Sequence, residues 1–300
     1  MTEKPRFLMC RPDFFGVDYA INPWMDPASW ARDAEALAVS AGAEWRAYHR
    51  ILQRLGAAIH LVPPAPGLPD LVFTANGAVV MDGTALLARF RHPERQGEED
   101  RFERMFRRLA SDGAIDRVRH LPAGLRLEGA GDCVWDRTRG LFWMGYGPRS
   151  DLVARGAVED SFGIETVALE LVDPRFYHMD TALNPLPGGE VMYVPGAFTV
   201  DGLAELHARV APGLRIPVEP EDAALLAANA VSIGHDIVLS QCSESLRARL
   251  EERGYRVHRS PLMSFTRSGG AAFCLTLRLD LRSEGAVRSV SRAAPALALG

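Results

Sequence analysis

The 300-residue chain carries 34 Lys and Arg against 38 Asp and Glu, a formal charge of −4, so no basic excess marks nucleic acid as a partner. Its apolar share is that of an ordinary globular protein, and no apolar run is long enough to span a bilayer. The opening MTEKPRFLMCRPD lacks the apolar stretch of a signal peptide, and the cysteines (Cys10, Cys133, Cys242 and Cys274) are scattered without a CxxC pair, which points to a reducing, cytoplasmic setting.

Taken in chain order, the predicted elements repeat. A helix ending in ILQRL stops at Gly56, and the β-rich run AIHLV follows. The arginines from Arg101 to Arg108 alternate with Glu103 and apolar residues, as on the solvated face of a helix; that helix stops at Gly113, before VRHLP. Gly163 leads into IETVALELV, Gly213 into LRIPV, and Gly254 separates SESLRARLEER from YRVHRSPL. Glycine is the usual helix stop because it takes a left-handed backbone cheaply. After each such strand comes a loop and a further strand that starts a hairpin, with turn chemistry at MDGT, DRTRG, LPGGE and IGHD. The last of these strands lies in GAAFCLTLRL. The result is five units of strand, strand, helix and strand, roughly 40 to 55 residues apart, a period that suggests a solenoid or a closed radial array. Closure removes exposed edges and is the expected solution. No linker splits the chain. Residues 1–282 are expected as one catalytic domain, and the small-residue-rich 283–300 as a disordered tail.

The residues that open the hairpin strands are Asn76, Glu128 with Asp132, His178 with Asp180, Asn229, and Cys274. A closed ring would bring most of them to one mouth. Cysteine attacks as thiolate and needs a cationic neighbour or a base, and His178 is the leading candidate. Taken alone, Cys274 also reads as a small buried hydrophobe; its place in the repeat favours chemistry. Asp180, two residues after His178, is expected on the same strand face, where a carboxylate favours the imidazolium. Glu128 and Asp132, bracketed by glycines, would be costly in a core unless they bind a cation. Acids beside a thiol and an imidazole point to a guanidinium or amidinium substrate. The Cys, His and Asp spacings match no zinc motif, and the glycine pairs at 188–189 and 269–270 lack a phosphate-loop context, so neither metal nor organic cofactor is expected.

Together these residues resemble the pentein superfamily of guanidino-group-modifying enzymes, which includes arginine deiminases, dimethylarginine dimethylaminohydrolases and amidinotransferases. The likeness runs from Arg6 to about Asp280 and implies an α/β fold, a five-bladed α/β propeller of ββαβ repeats with pseudo-five-fold symmetry. Arginine dihydrolases are similar to this chain at CRPDFFGVDYAINPWM, LPDLVFTANG, RHPERQGEE, EGAGD, GYGPRS, FYHMDT and GGAAFCLTL. By this resemblance Cys274 is the nucleophile and His178 the general acid–base. Glu128 and Asp180 hold the guanidinium and the histidine, Arg95 and Arg149 clamp the substrate α-carboxylate, and Asn22 lines the pocket. Asn76 stands where deiminases and dimethylarginine hydrolases have aspartate. In dihydrolases that asparagine accompanies a second hydrolysis, from citrulline to ornithine.

The expected partner is therefore a small guanidino compound such as arginine, with no nucleic acid and no membrane. Relatives of this kind are often dimers or larger, so a homo-oligomer is also expected. The rival readings are citrulline-forming hydrolysis of arginine or methylated arginines, and amidino transfer to an amine. A non-catalytic binding protein for cationic amino acids and a structural propeller with an inert core cysteine are rivals of a different class.

Overall fold

The computed structural model describes residues 4–283; the expected disordered tail therefore lies, apart from Ser283, outside the described residues. Strand β1 (Arg6–Cys10) runs parallel to β2 (Ala58–Val62), joined through the helix Ala34–Arg54. The next unit is β3 (Ala78–Met81), β4 (Thr84–Leu87), the helix Glu99–Ser111 and β5 (Arg117–Arg119). It is followed by β6 (Cys133–Asp136), β7 (Leu141–Tyr146), the helix Ala154–Phe162 and β8 (Glu165–Glu170). Then come β9 (Leu183–Pro185), β10 (Val191–Tyr193), the helix Val200–Arg209 and β11 (Arg215–Pro217). The last complete unit is β12 (Val231–Ile233), β13 (Asp236–Leu239), the helix Glu244–Glu251 and β14 (Arg256–Arg259). Finally β15 (Leu277–Arg278) pairs antiparallel with β1. The first blade is thus built from both ends of the described chain.

The five three-stranded sheets share one plan: an antiparallel pair, a hairpin in all but the first blade, then a helical crossover to a strand parallel to the central one. The strands β3, β6, β9, β12 and β15 all contribute to the lining of one axial cavity of about 430 Å³, which places them innermost. This is the expected five-bladed α/β propeller, closed as expected.

Local chemistry explains the elements. Asp82 and Gly83, both at positive φ, join the paired residues Met81 and Thr84, the conformation a two-residue hairpin turn requires. Gly56, Gly113, Gly163 and Gly254 all take positive φ where their helices end. Gly213 differs from the expectation: it is absent from the positive-φ residues and sits inside a single 3₁₀ turn, Pro212–Leu214. The chain there is turned by the proline, whose ring pre-sets φ, so no left-handed residue is needed.

Helix Glu99–Ser111 buries Phe102, Met105, Phe106 and Leu109, spaced three and four apart, and exposes Arg101, Arg104, Arg107 and Arg108. Phe102 and Phe106 pack with Leu8 of the first blade and Val80 of the second. Each buried phenylalanine contributes about 1.5–3 kcal/mol by leaving water. Four such apolar clusters join neighbouring blades. Among the described residues no helix is long and apolar enough to cross a membrane.

Candidate active site

Immediately before the inner strands of four blades the chain makes a short, tight turn. Thr74–Gly77 precedes β3, Gly129–Asp132 precedes β6, Met179–Ala182 precedes β9, and the segment with Asn229 precedes β12. Cys274 lies in the equivalent turn before β15. These turns carry Asn76, Glu128 and Asp132, His178 and Asp180, Asn229, and Cys274 to one end of the inner strands. All of them are buried, Glu128 completely and Cys274 to within 2%.

Two glycines allow the close approach. A Cβ on Gly131 would collide with Asn76 Nδ2, and Gly129, at φ +62°, would put one 2.7 Å from the Ala75 and Asn76 backbone. The EGAGD spelling is therefore a packing requirement of the second and third blades meeting at the site.

His178 stands at the N-cap position of its turn, and its Nε2 lies 2.8 Å from Glu128 Oε2. The same Glu128 oxygen accepts from Arg149 Nη1 at 3.0 Å, and Oε1 accepts from the Arg91 backbone at 3.1 Å. Burial pushes Glu128 up, but Arg149 and His178 outweigh it and hold the carboxyl well below the usual range. Burial drives His178 down to about 4 against the opposing pull of Glu128. The resting imidazole is neutral at neutral pH, the reverse of the imidazolium expected from a carboxylate neighbour, because desolvation outweighs the pairing.

Asp180 does not share a face with His178. The segment is a helical turn rather than a strand, and residues two apart on a helix point to different sides. Asp180 faces Cys274 instead: the Sγ–H donates to Oδ2 at 3.0 Å, while Oδ1 is buried without a partner. Burial raises Asp180 to about 7. Burial and Asp180 raise the Cys274 thiol well above its usual range. The resting nucleophile candidate is a neutral thiol.

Asp132, expected on the substrate, is engaged by the protein. Oδ2 accepts from Ser150 Oγ, and Oδ1 accepts from the Met179 backbone at 3.1 Å. It orients the His178 turn, and burial raises its carboxyl.

Arg149 also donates to the Ile21 carbonyl at 3.1 Å and lies over the Tyr177 ring. Arg95 sits in a fork with Glu98, at 2.9 and 2.8 Å, donates to the Asp70 carbonyl, and reaches Asn76 Oδ1 at 2.9 Å. Asn22 donates to the Ser268 carbonyl at 3.0 Å.

Three residues at the site were given no role from the sequence. Glu98 holds Arg95. Asp70 accepts from Tyr19 Oη at 2.9 Å and leaves Oδ1 buried and unpartnered. Asn229 bonds to Cys274. Asp70 and Glu98 lie inside the segments LPDLVFTANG and RHPERQGEE, and Asn229 was in step with the repeat, so a signal existed for each.

A closed five-bladed α/β propeller with a thiol, an imidazole and carboxylates buried at one end of its inner strands is a pentein. The chain belongs to the family whose model is described as N,N dimethylarginine dimethylhydrolase, eukaryotic, which matches residues 11–280. It is 41% identical over 279 residues to the bifunctional arginine dihydrolase/ornithine cyclodeaminase ArgZ of Synechocystis sp., covering 93% of this chain and 38% of that protein. The chain thus spans well under half the length of that relative. It is 38% identical over 276 residues to the N(G),N(G)-dimethylarginine dimethylaminohydrolase of Mycobacterium tuberculosis, covering 91% of this chain and 85% of that one. A solved structure of the N-terminal domain of ArgZ, a cysteine-to-serine mutant bound to substrate, superposes with a TM-score of 0.85 at 39% identity. It covers 93% of this chain and 99% of that domain.

Proposed function

We propose that this protein is a hydrolase of the guanidino group of L-arginine, and that it carries arginine through citrulline to ornithine. The observation that carries the reading is the pairing of Cys274 with Asp180 beside the His178–Glu128 pair, with an asparagine, Asn76, in the same cluster. The similarity to an arginine dihydrolase over most of this chain supports it.

Asp180 Oδ1 and Asp70 Oδ1 are buried carboxylate oxygens without partners. The first lies beside the thiol and suits a guanidinium N–H. The second suits the α-ammonium, with Arg95 and Arg149 as the buried cations for the α-carboxylate. A bound guanidinium supplies the positive charge that lowers the thiol and stabilises a thiolate. The sulfur then attacks the guanidinium carbon. The thiol proton goes to the leaving nitrogen through His178, the C–N bond breaks, ammonia departs, and a thiouronium remains on Cys274. Water adds with His178 as base, the C–S bond breaks, and citrulline and the thiol are formed with release of one proton. Repetition on the ureido carbon gives a second ammonia and a carbamate, which falls apart to ornithine and carbon dioxide. Asn76 favours that repetition because its amide accepts a neutral ureido group that a carboxylate would repel.

Residues up to about 282 act as one catalytic unit, and the buried, unpaired cysteines Cys10, Cys133, Cys242 and Cys274 suit a reducing cytoplasm. The test is incubation with L-arginine while ammonia, citrulline and ornithine are followed. Two ammonia and one ornithine per arginine is the expected result. Citrulline as the end product would assign a single hydrolysis, as would release of dimethylamine from dimethylated arginine, the activity for which the mycobacterial relative is named. Transfer of the amidino group to added glycine would overturn the hydrolase reading.

A further inference from the structure

Asn229 is the one blade-mouth residue in this set with neither a titratable group nor a role so far, and it makes more bonds to the nucleophile segment than any of them. It is fully buried. Its Nδ2 donates to Cys274 Sγ at 3.1 Å and to the Asp180 carbonyl at 3.1 Å. Its Oδ1 accepts from the Ala271 and Cys274 backbones at 3.0 and 3.2 Å. Its own carbonyl accepts from Phe273 at 3.3 Å. One amide therefore ties three things together: the backbone that presents the thiol, the turn that carries Asp180, and the sulfur itself.

The sulfur has two side-chain partners among the described residues, Asp180 and Asn229. They act in opposite directions. Asp180 accepts the S–H and so favours the thiol. Asn229 can only donate, so its bond strengthens when the proton leaves and the sulfur becomes an anion. The phenols of Tyr48 and Tyr177 are near enough to couple electrostatically to the thiol, but both are buried, held neutral and bonded to backbone carbonyls. No cation reaches Sγ within hydrogen-bond distance among the described residues.

We propose that Asn229 holds Cys274 Sγ in its attacking position and stabilises the thiolate through its Nδ2–H, and that it does the same for the sulfur as it leaves the thiouronium. This rests on Cys274 being the nucleophile. The bond that forms and breaks is C–S; Asn229 exchanges no proton, and its contribution is a charge-assisted donor that a buried thiolate otherwise lacks.

The test uses the full chain and two variants. Asn229→Asp keeps the one oxygen that accepts from both the Ala271 and Cys274 N–H groups, so the segment stays anchored while the donor becomes a carboxylate oxygen. Asn229→Ala removes the four side-chain bonds and, toward the nucleophile segment, keeps only the backbone bond from Phe273. The readouts are melting temperature, kcat and KM for arginine, and the pH dependence of Cys274 alkylation by iodoacetamide without substrate, corrected with a Cys274→Ser background. For Asn229→Asp the alkylation midpoint should rise by about one unit or more, a roughly tenfold loss of thiolate at fixed pH. Its kcat should fall about 100-fold with KM changed less than about threefold, as for a donor that matters most after binding. An alkylation profile identical to wild type in folded Asn229→Asp would overturn the proposal. Misfolding of Asn229→Ala alone leaves the aspartate variant to decide. If the wild type turns over no arginine, the proposed function fails, and the alkylation profile still decides the role of Asn229.

Discussion

The two ends of the inner strands are built on opposite principles. At one end five turns converge with Asn76, Glu128, Asp132, His178, Asp180, Asn229 and Cys274, every one buried. Along the strands themselves the axis is walled mainly by apolar residues such as Val79, Val80, Val134, Val231 and Leu277, around a cavity of about 430 Å³ that Arg137, Arg278 and Asp280 also line. Burying uncompensated charge is far more costly than burying valine. The chain tolerates it at one end because each charge there has a partner: Glu128 with His178 and Arg149, and Arg95 with Glu98. The groups left short of partners, Asp180 Oδ1 and Asp70 Oδ1, are those a cationic ligand would satisfy. The strand wall is mainly apolar scaffold, and the polar end is left with unpartnered carboxyl oxygens.

That contrast can be broken most directly at Cys274. Cys274→Ser should lower ammonia release from arginine by more than about 10⁴-fold. Its melting temperature should stay within a few degrees; full turnover by the serine variant would remove the nucleophile. Glu128→Gln leaves Arg149 buried without its anion. We expect about 3–5 kcal/mol of lost stability in denaturant titrations, together with loss of turnover, and unchanged stability would mean that the pair is not coupled as the distances imply.

Burial holds the His178 imidazole at about 4 in the fold, below its ordinary 6.5, so the folded state binds fewer protons than the unfolded one. Its contribution is fully present above 6.5 and lost as pH falls through 4. That loss is on the order of 3 kcal/mol. Asp180 and Glu98, both raised to about 7, act the other way: they favour the fold at low pH and lose that effect as pH rises through 7. Comparison of wild type with His178→Gln isolates the histidine. The variant should lose less stability between pH 6.5 and 4, and parallel curves would refute a neutral resting imidazole.

Asn76→Asp sharpens the comparison within the polar end. It should raise citrulline relative to ornithine about tenfold, the scale of one or two kcal/mol between competing steps; an unchanged ratio would dissociate Asn76 from the second hydrolysis. The smallest effect belongs to the scaffold. Ser232 lines the axial cavity with a buried Oγ that has no partner. Ser232→Ala should leave turnover unchanged and shift stability by less than about 1 kcal/mol, neutral or upward.

Much of this molecule was legible before any coordinates. The Asp82–Gly83 turn, the helix stops at Gly56, Gly113, Gly163 and Gly254, and the return of a polar residue before each inner strand are local signals. Each is written within a few residues, because backbone conformation answers to side chains a turn away. The five units and the membership of the site followed from them. What the chain alone left open was who faces whom. His178 could have been held by Asp180, two residues on; Glu128, 50 residues away, holds it. Asp180 reaches instead to Cys274, 94 residues away, and Asp132 turns from the substrate to Ser150 and Met179. Those choices are made where neighbouring blades meet, and burial then turns them into protonation states. Spacing along a sequence reports the turns that bring groups to one place; which donor meets which acceptor there depends on how the five blades close.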